Sequence, residues 1–231
     1  MAQRPSGPRL YGRQVGHGGL RPAQAAAMDE YFPALSLEED GPPFETAALM
    51  GDANALWLEI GFGAGEHLVW QAKEHPSTAF VGVEPFLTGV AKCVTAVAAA
   101  DLKNIKLCAG DARRLLARFP AACVERVFIL HPDPWPKWRH AKRRLIQTDF
   151  LTELARVMQP GGILRLGTDW PDYSVWALHH ILKHPSFTWC DERAADWQVR
   201  RDDWPFTRYA RKAEKQGRRD VHLTFQRAAN G

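Results

Sequence analysis

Five short apolar runs constrain this chain more than any other feature: LWLEIGF (56–62), AFVGVE (79–84), IKLCAGD (105–111), RVFILH (126–131) and ILRLGTD (163–169). Each is nearly continuous rather than alternating, the pattern of a strand covered on both faces. Segments of helical character separate them. His67 to Lys73 is one, and Thr88 to Ala100, rich in Ala and Val, is another. In a third, Ile146, Phe150, Leu154, Val157 and Met158 recur at helical spacing until Pro160-Gly161-Gly162 stops them. Strand and helix in alternation predict an α/β fold, a Rossmann-like doubly wound sheet that is mostly parallel. VHLTFQR (221–227) does alternate apolar with polar residues, and predicts an antiparallel edge strand near the C-terminus.

An apolar share of 45% over 231 residues is enough for one sizeable core. We read residues 1–28 as a basic, Gly-containing, mobile arm and 29–231 as a single domain, with a Pro-rich, acidic connector from Phe32 to about Asp52. The net charge of +4 says little by itself, but its distribution says more. Four arginines and no acid occupy the first 27 residues, and Thr207 to Arg219 carries six cations against Glu214 alone. A third basic block follows PDPW (132–135), in KWRHAKRR (137–144). Three such patches point to a polyanionic partner. The four cysteines, Cys93, Cys108, Cys123 and Cys190, form no C-x-x-C pair and read as reduced, buried thiols of a cytosolic protein. No apolar stretch approaches the ~18 residues of a membrane span, no signal peptide is seen, and the histidines show no metal spacing.

In a doubly wound sheet the ligand lies beyond the carboxyl ends of the strands. The first run leads into Glu59, then a turn with Gly61, Gly63 and Gly65. A dinucleotide site would require a third motif glycine where Glu66 stands, and Glu66 and Glu59 would face a pyrophosphate. Glu84 closes the second run, 23 residues after Gly61, the spacing of an acid that holds ribose hydroxyls. Asp111 closes the third, and the fourth leads to Asp133. Four acids at one sheet edge disfavour phosphate. They suit a cationic nucleoside without phosphate, and S-adenosylmethionine is one: sulfonium, ammonium, ribose and adenine.

With LEIGFGAG (58–65), PDPWPKWRHAKRR (132–144), TDW (168–170) and TRYARKAE (207–214) in view, the chain resembles the bacterial tRNA (guanine-N7-)-methyltransferases over roughly Leu10 to Arg227. The resemblance implies a class I methyltransferase fold, S-adenosylmethionine as methyl donor, and N7 of a guanosine in the tRNA variable region as target. It implies cofactor contacts at Glu59, Gly61, Gly63, Glu84, Asp111 and Asp133, with Asp133 also catalytic. Substrate-binding positions would be Lys137, Asp169, Thr207, Arg208, Tyr209 and Ala210. Arg139, His140, Lys142, Arg143 and Arg144 would contact RNA. Of its partners it implies tRNA, no membrane and no metal; the chain itself would be a cytoplasmic monomer or homodimer. Other readings are a methyltransferase of another nucleic acid or of protein, a non-catalytic RNA-binding subunit, and a nicotinamide dehydrogenase.

Two departures stand out. The family pattern Thr-x-aromatic-Glu has Ala210 at its fourth position here, and Arg13-Gln14-Val15-Gly16-His17 replaces a denser arginine cluster in the arm. If TRYARKAE is helical, Glu214 lies one turn beyond Ala210 and can reach back for the missing acid. The three prolines of PDPWP fix the backbone around Asp133. Trp135 is placed to stack on a base or wall the pocket. Arg143 and Arg144 are expected in the first turn of the helix through Ile146 and Leu154, where an RNA phosphate would relieve their opposition to the helix dipole.

Overall fold

All five apolar runs fold as neighbouring parallel strands in the computed structural model, which describes residues 19–229 apart from the side chain of Tyr209. They are β1 (Ala55–Ile60), β2 (Thr78–Val83), β3 (Ile105–Cys108), β4 (Val124–Leu130) and β5 (Met158–Thr168). Two antiparallel strands, β6 (Phe187–Trp189) and β7 (Val221–Arg227), complete the sheet order β3-β2-β1-β4-β5-β7-β6. The winding reverses between β1 and β4. That is the switch point, where the carboxyl ends of the strands open a crevice.

The continuous runs are explained by burial on both faces. Leu56, Leu58 and Ile60 of β1 enter one core with Leu115, Phe150 and Leu154. Trp57, between them, enters the other with Phe80, Phe128 and Leu68. The covering helices are α1 (Pro22–Leu35), α2 (Thr46–Met50), α3 (Glu66–Glu74), α4 (Leu87–Ala99), α5 (Ala112–Ala117), α6 (Thr148–Val157), α7 (Pro171–Lys183), α8 (Ala194–Gln198) and α9 (Arg208–Lys215). A 3-10 turn spans Trp138–Arg143.

The structure corrects three expectations. Residues 22–35 form α1, so the expected arm boundary at 28 falls inside a helix. Pro22 stands at its first turn, where a missing N–H costs nothing, and Ala27, Met28, Phe32 and Leu35 pack on the α4 side of the core. The rest of the arm, residues 1–18, lies outside the described residues, Arg13 to His17 included. The acidic connector is anchored by arginines of α5 and the segment after it. Arg114 pairs with Glu39 (2.8 Å) and Asp40, and Arg118 donates to the carbonyls of Pro42 (2.9 Å) and Glu38.

Arg143 and Arg144 do not open α6. Arg144 and Gln147 are extended, and the helix begins at Thr148, so neither cation meets its dipole. Cys93, Cys108 and Cys123 are buried, but Cys190 is exposed just beyond the three-residue β6. Among the described residues no helix is long and apolar enough to cross a membrane.

Candidate active site

Glycine is required in the turn after β1. Gly61, Gly63 and Gly65 have φ of +78°, +59° and +78°, the left-handed region that a Cβ disfavours. A Cβ on Gly65 would also lie 2.4 Å from Cys93 Sγ of α4. The turn therefore packs directly on that helix. Glu84, at the end of β2, locks it from the side. One carboxylate oxygen accepts the Gly63 N–H and the other the Phe86 N–H, both at 2.8 Å.

Beyond this turn opens a cavity of about 410 Å³, within the range of small-ligand sites. Gly61, Gly63, Glu84, Asp111, Asp133 and Trp135 all line it. Glu59 does not. It faces a small cavity on the other side of the turn, with His67, His131, Thr207 and Arg208. Its Oε2 lies 2.7 Å from His67 Nδ1. Gln71 Nε2 donates to the Asp203 carbonyl (2.8 Å) and faces His67 Nε2 at 3.1 Å. His67 Nε2 is thereby the acceptor, and its Nδ1–H donates to Glu59.

The acids differ in what balances them. Asp111 caps α5 through the Arg113 N–H (2.9 Å) and pairs with that guanidinium at 3.0 Å. Its backbone N–H donates to Glu39 of the connector. Gly110 has no room for a side chain, because a Cβ would lie 2.2 Å from Glu39 Oε2. Glu84 accepts only neutral donors, and Asp133 stands at the mouth. Burial raises the carboxyl pKa of both, and the Asp133 charge raises that of Glu84 further. A cation bound in the cavity would lower both.

The loop that presents Asp133 is strained and braced. His131 and Trp135 have φ of +50° and +41°, at about 1–3 kcal/mol each for non-glycine residues. Arg144 secures the loop from behind. Its Nε and Nη2 donate to the Pro134 and Trp135 carbonyls at 3.0 and 3.4 Å, and its guanidinium lies over Trp176. Arg144 is 6% exposed. This corrects its expected place on the RNA-facing surface: it faces inward because the loop carbonyls need a donor. Lys137, Arg139 and Lys142 are exposed, His140 is half-buried, and Arg143 lies over the Trp135 ring at 4.9 Å.

Of the remaining substrate candidates, Thr207 and Arg208 line the small cavity beside the Gly turn, and Asp169 lines a separate one with Trp170 and Arg218; the Tyr209 side chain lies outside the described residues. Thr207 caps α9, accepting the Ala210 N–H at 3.3 Å. Glu66 accepts the Arg208 N–H at 2.6 Å. The residue that disqualified a dinucleotide turn thus ties α9 to the start of α3. Ala210 is buried, while Glu214 is exposed, and the acid at the N-terminus of α9 is Glu66. Arg211 and Arg218 turn to Glu66 (3.9 Å) and Asp169 (2.7 Å). Sequence reasoning missed two neighbours of Asp169. His131 stands between Asp169 and Asp220, a different ring nitrogen 3.7 Å from each. The signal was there: a histidine directly follows the apolar end of β4, and an aspartate precedes β7.

Residues 53–223 match the family described as "Putative methyltransferase". A tRNA (guanine-N(7)-)-methyltransferase from Nitrobacter hamburgensis is 45% identical over 223 residues, 96% of this chain and 87% of that protein. One from Caulobacter vibrioides is 46% identical over 91% of this chain and 92% of its own length. The chain belongs to the tRNA (guanine-N7-)-methyltransferase family. Solved structures extend the fold more widely. The 16S rRNA (adenine(1408)-N(1))-methyltransferase from Catenulisporales acidiphilia aligns with a TM-score of 0.52 at 18% identity, over 83% of this chain and 97% of that one. The [4+2]-cyclase SpnF aligns comparably, at 0.55 and 16% identity over 80% of this chain and 79% of the cyclase. At this distance the likeness concerns architecture alone, and a methyltransferase-family site has to be argued from its own residues.

Proposed function

We propose that this member of the family transfers a methyl group from S-adenosylmethionine to N7 of a guanosine in the variable region of tRNA. The observation that carries the reading is the capture of the Gly63 N–H by Glu84. A glycine-rich turn that bound phosphate would present that N–H to the ligand. Here a carboxylate consumes it, and Glu66 adds a second acid at the start of α3. A pyrophosphate on this turn would meet Glu84 in place of a free N–H, which disfavours a dinucleotide and favours S-adenosylmethionine, a cation without phosphate, in the larger cavity.

Glu84 is placed for its ribose, Gly61 and Gly63 for close backbone approach, and Asp111 and the neighbouring backbone for the adenine end. When bound, S-adenosylmethionine supplies an electrophilic methyl group on a cationic sulfur. Guanine N7 carries a lone pair and no proton at neutral pH, so this chain needs no strong general base. Its task is to set N7 in line with the methyl carbon, which is an effect of position. Asp133, held at the cavity mouth by the proline-framed loop, orients the guanine edge and stabilises the positive charge that the base acquires. Trp135 walls the base on one side, and Arg143 stiffens that wall by lying on its ring.

The test is transfer of labelled methyl groups to an unmodified tRNA transcript, followed by nucleoside digestion. The expected product is 7-methylguanosine from a single variable-region position. Label on another base, or only on protein, would overturn the reading.

A further inference from the structure

Trp138 is 81% exposed at the start of the 3-10 turn that follows the Asp133 loop. A tryptophan so placed leaves most of a large apolar ring in water, where it contributes little to the fold. It is also the outer end of an aromatic ladder. Its ring meets Trp176 of α7 edge-on at 6.4 Å, and Trp176 stacks on His180 at 4.0 Å and 27°. Lys137, Arg139 and Lys142, all exposed, surround it in sequence. A flat ring left largely in solvent within a fringe of cations has the composition that accommodates an unstacked base together with its flanking phosphates.

We propose that Trp138 is a stacking platform for one unpaired base of the RNA substrate, outside the methylation cavity, with Trp176 and His180 buttressing its edge. The proposal rests on the tRNA reading above and adds to it a second point of attachment. The docked nucleotide is one that the tRNA fold leaves free of its own stack, and stacking makes the platform tolerant of base identity. Arg139 and Lys142 take phosphates beside it. The two kinds of contact separate experimentally, because stacking is insensitive to salt and phosphate contacts are not.

The experiment measures tRNA affinity against salt for the full chain, Trp138→Ala, Trp138→Phe and Arg139→Ser. Trp138→Ala should bind roughly tenfold more weakly, the scale of one base–aromatic contact. Its log–log salt slope should stay at the parent value. Trp138→Phe should recover most of the affinity, and Arg139→Ser should reduce the slope by roughly 0.7–0.9. The difference in tryptophan emission between parent and Trp138→Phe should be quenched by tRNA. The ring's exposure means that the variants melt as the parent does, and S-adenosylmethionine affinity is the second control. Parent-like tRNA affinity in Trp138→Ala overturns the platform while leaving the methyltransferase reading intact. Failure of the parent itself to bind tRNA overturns both. A parent dimer that Trp138→Ala converts to monomer would put a second copy on the ring, and overturns the platform equally.

Discussion

Arg144→Ala separates a loop brace from an RNA contact. The guanidinium donates to the Pro134 and Trp135 carbonyls at 3.0 and 3.4 Å and lies over Trp176 at 4.8 Å. A hydrogen bond from a charged donor contributes about 1.5–3 kcal/mol, and the 3.4 Å contact much less. The buried cation–π contact adds up to ~2 kcal/mol. Against these stand the relief of strain at Trp135, worth about 1–3 kcal/mol, and the cost of burying a guanidinium, which is of similar or larger size. The opposing terms largely offset, leaving a net loss of about 1 kcal/mol, a fall of roughly 2–4 °C in Tm for a chain of this size. Arg144→Lys should recover little, because an ammonium has no planar fork to span two carbonyls. Thermal melts, initial methyl-transfer rates and tRNA affinity against salt decide the matter. We expect a lower Tm, a loss of transfer beyond the loss of tRNA affinity, and an unchanged salt slope. An unaltered Tm together with a slope reduced by roughly 0.7–0.9 would place Arg144 on a phosphate and refute the argument.

Asp133→Asn should keep the fold and most of the cofactor affinity, yet lower single-turnover methyl transfer by roughly 10²-fold, the scale of one lost electrostatic contact; parent-like turnover would remove the carboxylate from the mechanism. Burial holds the carboxyls of Glu84 and Asp133 above their ordinary values, so the stability these groups contribute to the unliganded chain is present below the ordinary carboxylate range and lost as pH rises through the raised values. A bound cation lowers both pKa values; S-adenosylmethionine should therefore bind with proton release and tighten with pH across that window, which calorimetry in buffers of different ionisation enthalpy detects. Glu214→Gln should leave transfer within about twofold, since the exposed Glu214 is worth about 0–1 kcal/mol at most; a tenfold loss would restore it as the substitute for the acid absent at Ala210.

The strands and their direction were legible because their signals are local. Leu56 to Ile60 are all buried, and an uninterrupted apolar run reports that directly. The alternation of β7 announced its antiparallel course, while β6, with three residues, carries too few side chains to announce anything. The α6 boundary was misread because Ile146 fits the helical spacing and is fully buried, yet belongs to the extended segment before Thr148. For the site, residue types and strand-end positions gave Glu84, Asp111 and Asp133, since topology alone gathers strand ends. Partners drawn from afar were illegible: Glu39 under Asp111, Glu66 on Arg208, and Asp220 opposite His131 are each fixed by tertiary packing. The same holds for Arg144, whose inward course no reading of a cationic block reveals.

The order of strands has a consequence for synthesis. β7 hydrogen-bonds to β5 on one side and β6 on the other, so β6 reaches the sheet only through a strand made after it. The Thr207 and Arg208 side of the small cavity is likewise translated more than 140 residues after the Gly turn that it faces. Before α9 and β7 are translated, the nascent protein already has its glycine turn and the acids of β2, β3 and the Asp133 loop. It lacks α9, which Glu66 ties to that turn, and its sheet edge at β5 is open. Completion of the site coincides with closure of that edge, so a chain released early carries an unsealed strand and an unfinished site together.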